Sequence, residues 1–450
     1  MNKKITKEQI VKWDKDHNIH PYMNFSDSRK IIIKGEGAYV YDQDGQKFLD
    51  GIGGLWCVNI GHGRSELGLA YQEQVEELGY FSTFSIFSNR PSSILAKKLV
   101  DLTYDKLQHV YFTNGGSEAN DATVRIINNY NHLRKMPHKR HIITRKMAYH
   151  GMTYLTASIS GIDDNNKNYQ NTPDFIHYLS TPNCYRRPKE DMSDADYVDY
   201  LGDEYEAKIT ELGADNVAVF FAEPIMGAGG IYVAPNGYHK RMWEICEKND
   251  IFYVSDEVVT GFCRLGEFFT TNNIYGIKPD FINVAKGITS GYAPLGAIIF
   301  SDKVFDVIKK GEFTSAFTYS GHPACTAVAN KNIEIMEKEF LCEYVKSIST
   351  HLWKELRSLQ GRSPYLGDVR GSHFMIGLEF VKRKDDKLAF GNKIKFSTLV
   401  ANQALKNGLI IRPLSDEIMV ISPTLIWQKE DIDKFINILE TSINFVAEGI

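Results

Sequence analysis

The sequence lacks the marks of several large classes of protein. No two of its six cysteines (Cys57, Cys184, Cys246, Cys263, Cys325, Cys342) form a C-x-x-C pair, which argues against a zinc ribbon or a disulfide framework. A reducing cytoplasm is the expected compartment. No run of about 18 uncharged apolar residues occurs, and the cationic N-terminus MNKKITKEQIVKWDKDH has no apolar stretch behind it. Neither a membrane span nor a standard export signal is therefore expected. An excess of one charge is also missing: 52 Lys and Arg stand against 56 Asp and Glu, a balance that leaves no electrostatic footprint for nucleic acid or an anionic membrane surface. Internal repeats and low-complexity tracts are absent, which sets solenoids aside. There is no H-E-x-x-H, no G-x-S-x-G and no Walker loop, so no metal site or serine-hydrolase nucleophile is expected.

What is present is a 450-residue chain, 43% hydrophobic, long enough for one large domain and a smaller one. Its texture changes twice. KIIIKGEGAYVYDQDGQKFLDG alternates apolar and polar residues around a DQDG turn, which predicts a β-hairpin or meander. From about residue 95, short apolar runs alternate with helical stretches: HVYFT (109–113), NVAVFFA (216–222), IFYVS (251–255) and DFINVA (280–285). That alternation is the pattern of βαβ units and a mostly parallel sheet. After about residue 330, a long helical stretch (ACTAVANKNIEIMEKEF), alternating segments (FMIGLEFV, EIMVIS) and an amphipathic helix from Lys429 predict an α+β layer. The expected division is a large α/β domain over 60–328 and a small domain built from 1–59 and 329–450.

Three of the apolar runs end in a charge: Glu223 after NVAVFFA, Asp256 after IFYVS and Lys286 after DFINVA. In open α/β sheets ligands bind outside the carboxyl ends of the strands, so the three could share one pocket. A desolvated lysine there is nucleophilic enough to form an imine with an aldehyde, and a carboxylate opposite can keep a pyridine nitrogen protonated. Each residue alone has an ordinary reading, an ion-paired or solvated residue opening a loop; Glu223, followed by Pro224, could simply hydrogen-bond that loop. The segment TNGGSEANDATVRI places Gly115, Gly116 and Ser117 between a strand and a helix, a phosphate cradle or an ordinary N-cap. In AYHGM, Tyr149 could lie on a planar cofactor or belong to the core. His62 and His322, in glycine turns, read as structural.

These residues resemble one family over nearly the whole chain, the class III pyridoxal-phosphate aminotransferases of fold type I. The most specific stretch is YVSDEVVTGFCRLGEFF…KPDFINVAKGITSGYAPLGA, with the acid and the lysine spaced as the family signature requires. The resemblance implies pyridoxal 5'-phosphate as cofactor, held as an imine by Lys286, which also carries the proton. Asp256 would pair with the pyridine nitrogen, Gly116 and Ser117 would bind the phosphate, and Tyr149 and Val258 would cover the two faces of the ring. Glu223 would support the site nearby. In AFTYSGHP it implies a loop that crosses a dimer interface, with Thr318 bonding the partner's phosphate and Phe317 lining the partner's pocket, in a homodimer or a tetramer. GGLWCVNIGHGR looks like the taurine, β-alanine and amine–pyruvate branch, making Trp56 a pocket wall and Arg412 the cation for the acceptor's carboxylate. The implied reaction is ping-pong transamination from a primary ω-amine to a 2-oxo acid, pyruvate first and 2-oxoglutarate next. An aminomutase, a decarboxylating relative or a non-catalytic protein on the same fold remains open. Two positions depart from the pattern: Cys263 in GFCR, and His373 with Phe374 in RGSHFM.

Overall fold

The computed structural model describes residues 5–22, 29–167, 172–391 and 394–449. Its centre is a seven-stranded sheet. From one edge to the other the strands run Leu107–Thr113, Gly296–Ser301, Phe281–Val284, Phe252–Asp256, Val217–Ala222, His141–Arg145 and Ile176–Leu179. Every neighbouring pair is parallel except the two made by Gly296–Ser301, which is antiparallel to both flanking strands. Fold type I, an α/β architecture with a mostly parallel sheet, is thereby present as expected.

The central strands read as unbroken apolar runs because both faces are covered. In Val217–Ala222 every residue is buried, and from Val219 onward successive side chains enter different cores. Val219 and Phe221 join the core under the helix Gly116–Leu133, while Phe220 and Ala222 join the one beneath Asp194–Leu212 and Tyr238–Lys248. Period-2 alternation thus separates two apolar layers rather than an apolar face from a polar one.

Two four-stranded sheets complete the fold. The predicted N-terminal meander forms as Ile32–Glu36, Tyr39–Asp42 and Lys47–Asp50. Its last strand pairs in parallel with Leu409–Ile410, so the two ends of the chain share a sheet. The other is antiparallel, in the order Leu366–Ser372, Met375–Phe380, Ile418–Ile421, Arg412–Pro413. One consequence matters for the site: Arg412 lies on this third sheet, far in sequence from Lys286 and Asp256.

His62 and His322 are structural, as read from the sequence. His62 Nε2 lies 2.8 Å from an Asp50 carboxylate oxygen, and His322 Nδ1 accepts the Ala324 N–H at the start of the helix Pro323–Lys338. No helix among the described residues is long and apolar enough to cross a membrane.

Candidate active site

Neighbouring parallel strands end together, so a charge after each end reaches the same rim. Asp256 is the last residue of its strand, Glu223 directly follows Val217–Ala222, and Lys286 comes two residues after Phe281–Val284. Burial lowers the Lys286 pKa from 10.5, against the opposing pull of Asp256, Cys57 and Glu223; the Arg412 cation pushes it the same way as burial. A lysine so placed has an accessible neutral amine, the form that attacks a carbonyl. Its backbone is held at φ +48°, a left-handed conformation that costs a non-glycine residue about 1–2 kcal/mol and that only a tight surround maintains.

Asp256 is buried and receives three donors. The Val258 N–H bonds Oδ1 at 3.1 Å, while Asn120 Nδ2 at 2.8 Å and His150 Nδ1 at 2.7 Å both reach Oδ2. His150 Nδ1 therefore carries a proton, and its Nε2 is buried with no hydrogen-bond partner among the described residues. The carboxylate's partners are all donors, and its Oδ1 can accept one further bond.

The candidate phosphate cradle lies at the start of the helix Gly116–Leu133. Gly115 caps it with extended backbone and no side-chain bond, which leaves the first N–H groups for a ligand. Glycine is required at 116 by close approach: a Cβ there would lie 2.9 Å from both Val258 methyls. Ser117 Oγ accepts the Met152 N–H at 3.2 Å, so its hydroxyl proton is available to an anion.

Glu223 is buried, and burial raises its pKa. Its oxygens accept the Tyr149 N–H at 3.0 Å and the Gly227 N–H at 2.7 Å. This is the loop-holding role that the ordinary reading gave it, and it fixes the backbone of Tyr149. The Tyr149 hydroxyl is pushed up to about 12, first by burial and then by Tyr22, with Arg412 opposing. Trp56 is buried at φ +62°, and its ring lies so close to Gly227 that a Cβ there would come within 2.6 Å of it. Trp56 thereby packs on the residue that Glu223 binds. Arg412 stands with its guanidinium carbon 5.7 Å from the Tyr22 ring centroid, within the range of a cation–π contact.

Phe317 and Thr318 are held differently. Phe317 packs near Tyr111, with ring centroids 6.3 Å apart, and exposed Thr318 accepts the Tyr80 hydroxyl on its carbonyl at 2.6 Å. The bonds of this loop run to Tyr80, Thr83 and Phe112, not to Lys286 or Asp256.

The two departures from the family pattern meet at Arg264. Cys263, buried at φ +69°, occupies a left-handed position that glycine takes without cost. Arg264 beside it is wholly buried and bonds the carbonyls of Phe374 and Pro423 and Asn59 Oδ1. Without a carboxylate partner its pKa falls to about 9, burial being the main cause. It ties three distant segments together beneath the site.

Sequence reasoning missed His150 and Asn120 as Asp256 ligands. AYHGM and SEAN were both in view, but nothing local reveals that a histidine ring turns inward to a strand 106 residues away.

These residues fit pyridoxal phosphate: a buried lysine with a lowered pKa, a carboxylate whose partners are all donors and an uncapped helix start converge. Similarity to known proteins agrees. Residues 23–443 match the family Aminotransferase class-III. Putrescine–pyruvate aminotransferase of Pseudomonas aeruginosa is 37% identical over 463 aligned positions, covering 100% of both chains. Gamma aminobutyrate transaminase 3 of Solanum lycopersicum is 37% identical over 412 positions, 90% of this chain and 79% of that one. An omega transaminase from Pseudomonas jessenii, solved in complex with PMP, superposes with a TM-score of 0.95 at 31% identity, over 98% of this chain and 99% of that one. With its fold, its lysine and its sequence in accord, the chain belongs to the class III aminotransferases, pyridoxal-phosphate-dependent enzymes of the ω-transaminase kind.

Proposed function

We propose that the enzyme transfers the amino group of a primary ω-amine to a 2-oxo acid, pyruvate before 2-oxoglutarate, in two half-reactions at one site. The observation that carries this reading is Arg412: its charge bears on both Lys286 and Tyr149, so a cation suited to a carboxylate shares the pocket with the amine. Bound pyridoxal phosphate would supply the carbonyl carbon for imine exchange and a conjugated ring that accepts an electron pair.

The chain's own residues do the rest. Lys286 Nζ would hold the cofactor covalently and, when free, would carry a proton to or from the substrate carbon. Asp256 Oδ1 would accept a bond from the pyridine nitrogen and keep it protonated. Gly116 and Ser117 would anchor the phosphate, and Tyr149 and Val258 would confine the ring. Glu223 holds the Tyr149 backbone, and Trp56 limits the side chain of the donor. Arg412 binds the carboxylate of the acceptor as a guanidinium fork.

Donors in this reading are taurine, β-alanine or a similar terminal amine; the names of the relatives add putrescine and γ-aminobutyrate to the set worth measuring. We place Thr318 and Phe317 across the interface of a homodimer, a reading supported by their exposed loop. The six free thiols support a reducing cytoplasm. Incubating purified enzyme with each donor and pyruvate, or 2-oxoglutarate, and measuring alanine or glutamate tests the reaction. Alanine formation that depends on both substrates is expected; no amino-acid product with any pair would overturn it, as would turnover of an amine without an acceptor, which marks a mutase.

A further inference from the structure

Asp256 is the near end of a buried polar chain that runs away from the site. Asn120 Nδ2 donates to Asp256 Oδ2 at 2.8 Å and to the His150 carbonyl at 2.7 Å. Both partners can only accept, so the amide orientation of Asn120 is fixed: its oxygen must point the other way. That oxygen accepts Asn283 Nδ2 at 2.7 Å. The Asn283 oxygen then faces the Thr123 hydroxyl at 3.0 Å, whose single proton is shared with the Ala119 carbonyl at 2.8 Å. Asn120, Thr123 and Asn283 are each no more than 1% exposed. Every direction in the chain follows from the carboxylate at its head.

Placement gives this chain a purpose beyond satisfying buried groups. Asn120 and Thr123 stand three residues apart on one face of the helix that starts at Gly116. The turn that presents N–H groups and Ser117 to the phosphate is followed, one turn later, by the amide that grips Asp256. Asn283 lies on the strand that leads to Lys286. A rigid helix therefore spaces the phosphate cradle from Asp256, and the same amide chain fastens it to the strand that leads to the lysine. Three kinds of contact with one cofactor are tied to a common frame.

We propose that Asn120, Asn283 and Thr123 are positioning residues that set Asp256 for the pyridine nitrogen, working as one polarised relay. This rests on the reading that Asp256 pairs with that nitrogen. Buried hydrogen bonds in series reinforce one another, so loss of the outermost hydroxyl is felt at the carboxylate, more weakly than loss of Asn120. Without Asn120, Oδ2 keeps only His150 and the carboxylate is free to turn toward it, away from the ring.

The test is the nitrogen itself: holoenzyme loaded with cofactor carrying 15N in the pyridine ring, measured by NMR. Asp256→Asn, Asn120→Leu and Thr123→Val are compared with wild type. The resonance is expected to move toward that of unprotonated pyridine in the order Asp256→Asn, then Asn120→Leu, then Thr123→Val. Alongside this, kcat should fall about tenfold or more for Asn120→Leu, with the KM for amine little changed. A wild-type resonance in Asn120→Leu, with Asp256→Asn displaced, overturns the relay and leaves the Asp256 reading standing. An undisplaced Asp256→Asn overturns both. Should Asn120→Leu not fold, Thr123→Val decides, since it trades a hydroxyl for a methyl of the same shape; an unmoved resonance there overturns the relay.

Discussion

His150 Nδ1 lies 2.7 Å from Asp256 Oδ2, with both side chains buried. The bond is charge-assisted on the acceptor side and shielded from water, the setting in which a single hydrogen bond counts most. His150→Leu removes the donor while filling much of the ring's volume. Bonds to charged groups contribute about 1.5–3 kcal/mol, so kcat/KM should fall by about 10- to 100-fold. Steady-state kinetics on folded, cofactor-loaded variant decides it; a change under threefold would show that Asp256 does not depend on this partner.

Lys286 gives a pH prediction whose sign can be worked out. Burial lowers its pKa from 10.5, so the folded apoenzyme holds this proton less tightly than the unfolded chain does. The cost of the buried charge is present in full below the depressed value, shrinks as pH rises through the interval up to 10.5, and is absent above it. Lys286→Met removes the titrating group. The apo variant should therefore melt higher than apo wild type at neutral pH, with the gap narrowing as pH approaches that upper limit. Thermal melts of both cofactor-free proteins across this range check it, and a gap that widened with pH would refute the assignment.

Gly116 and Val258 offer a paired test of the cradle. A methyl at 116 collides with both Val258 methyl groups, and overpacking of this kind costs about 1–3 kcal/mol. Gly116→Ala should weaken cofactor binding by about tenfold or more, and Val258→Ala in the same chain should recover most of the loss. Absorbance titration of apoenzyme with pyridoxal phosphate reads both. Unchanged binding in Gly116→Ala would mean that the helix start shifts at no cost and that the close approach is not what selects glycine.

The parts of this protein that were legible in the sequence are those whose cause is local. Unbroken runs such as NVAVFFA and IFYVS announce strands covered on both faces, and a charge at the end of each announces the rim. The strand His141–Arg145 was not announced, because HIITR holds only two adjacent apolar residues between polar ends. Gly296–Ser301 hid inside a stretch dominated by glycine and proline, and its antiparallel direction is set by partners, not by its own residues. Lys286 and Asp256 lie at the strand ends and Gly116 at the helix start, where position and type put them. The Asn120, Asn283 and His150 contacts were not legible, since a buried amide or imidazole has the same local sequence whether it meets a carboxylate or a carbonyl. Glu223 shows the converse: its place was legible, while its partners, two backbone N–H groups, restrict it to holding the loops around Tyr149.

In the proposed reaction Arg412 distinguishes the two half-reactions. A 2-oxo acid presents a carboxylate that a guanidinium binds through two parallel bonds, while a terminal amine without a carboxylate gains nothing from it. Loss of a charged, partly desolvated bond of about 1.5–3 kcal/mol should raise the KM for pyruvate in Arg412→Ala by about 10- to 100-fold. The single-turnover rate with a carboxylate-free primary amine, followed through the cofactor's absorbance, should stay within about threefold, less than 1 kcal/mol. Arg412→Lys should recover only part of the affinity, because an ammonium keeps the charge and loses the planar fork. The ring of Tyr22 sharpens the comparison: it stands 5.7 Å from the guanidinium carbon, and Tyr22→Leu removes a contact of about 0.5–1 kcal/mol at an exposed site. Its effect should appear in the pyruvate half-reaction alone and in the same direction as Arg412→Ala, a few-fold in KM. Equal losses in both half-reactions for Arg412→Ala would place the arginine in the scaffold of the pocket instead of in recognition of the acceptor.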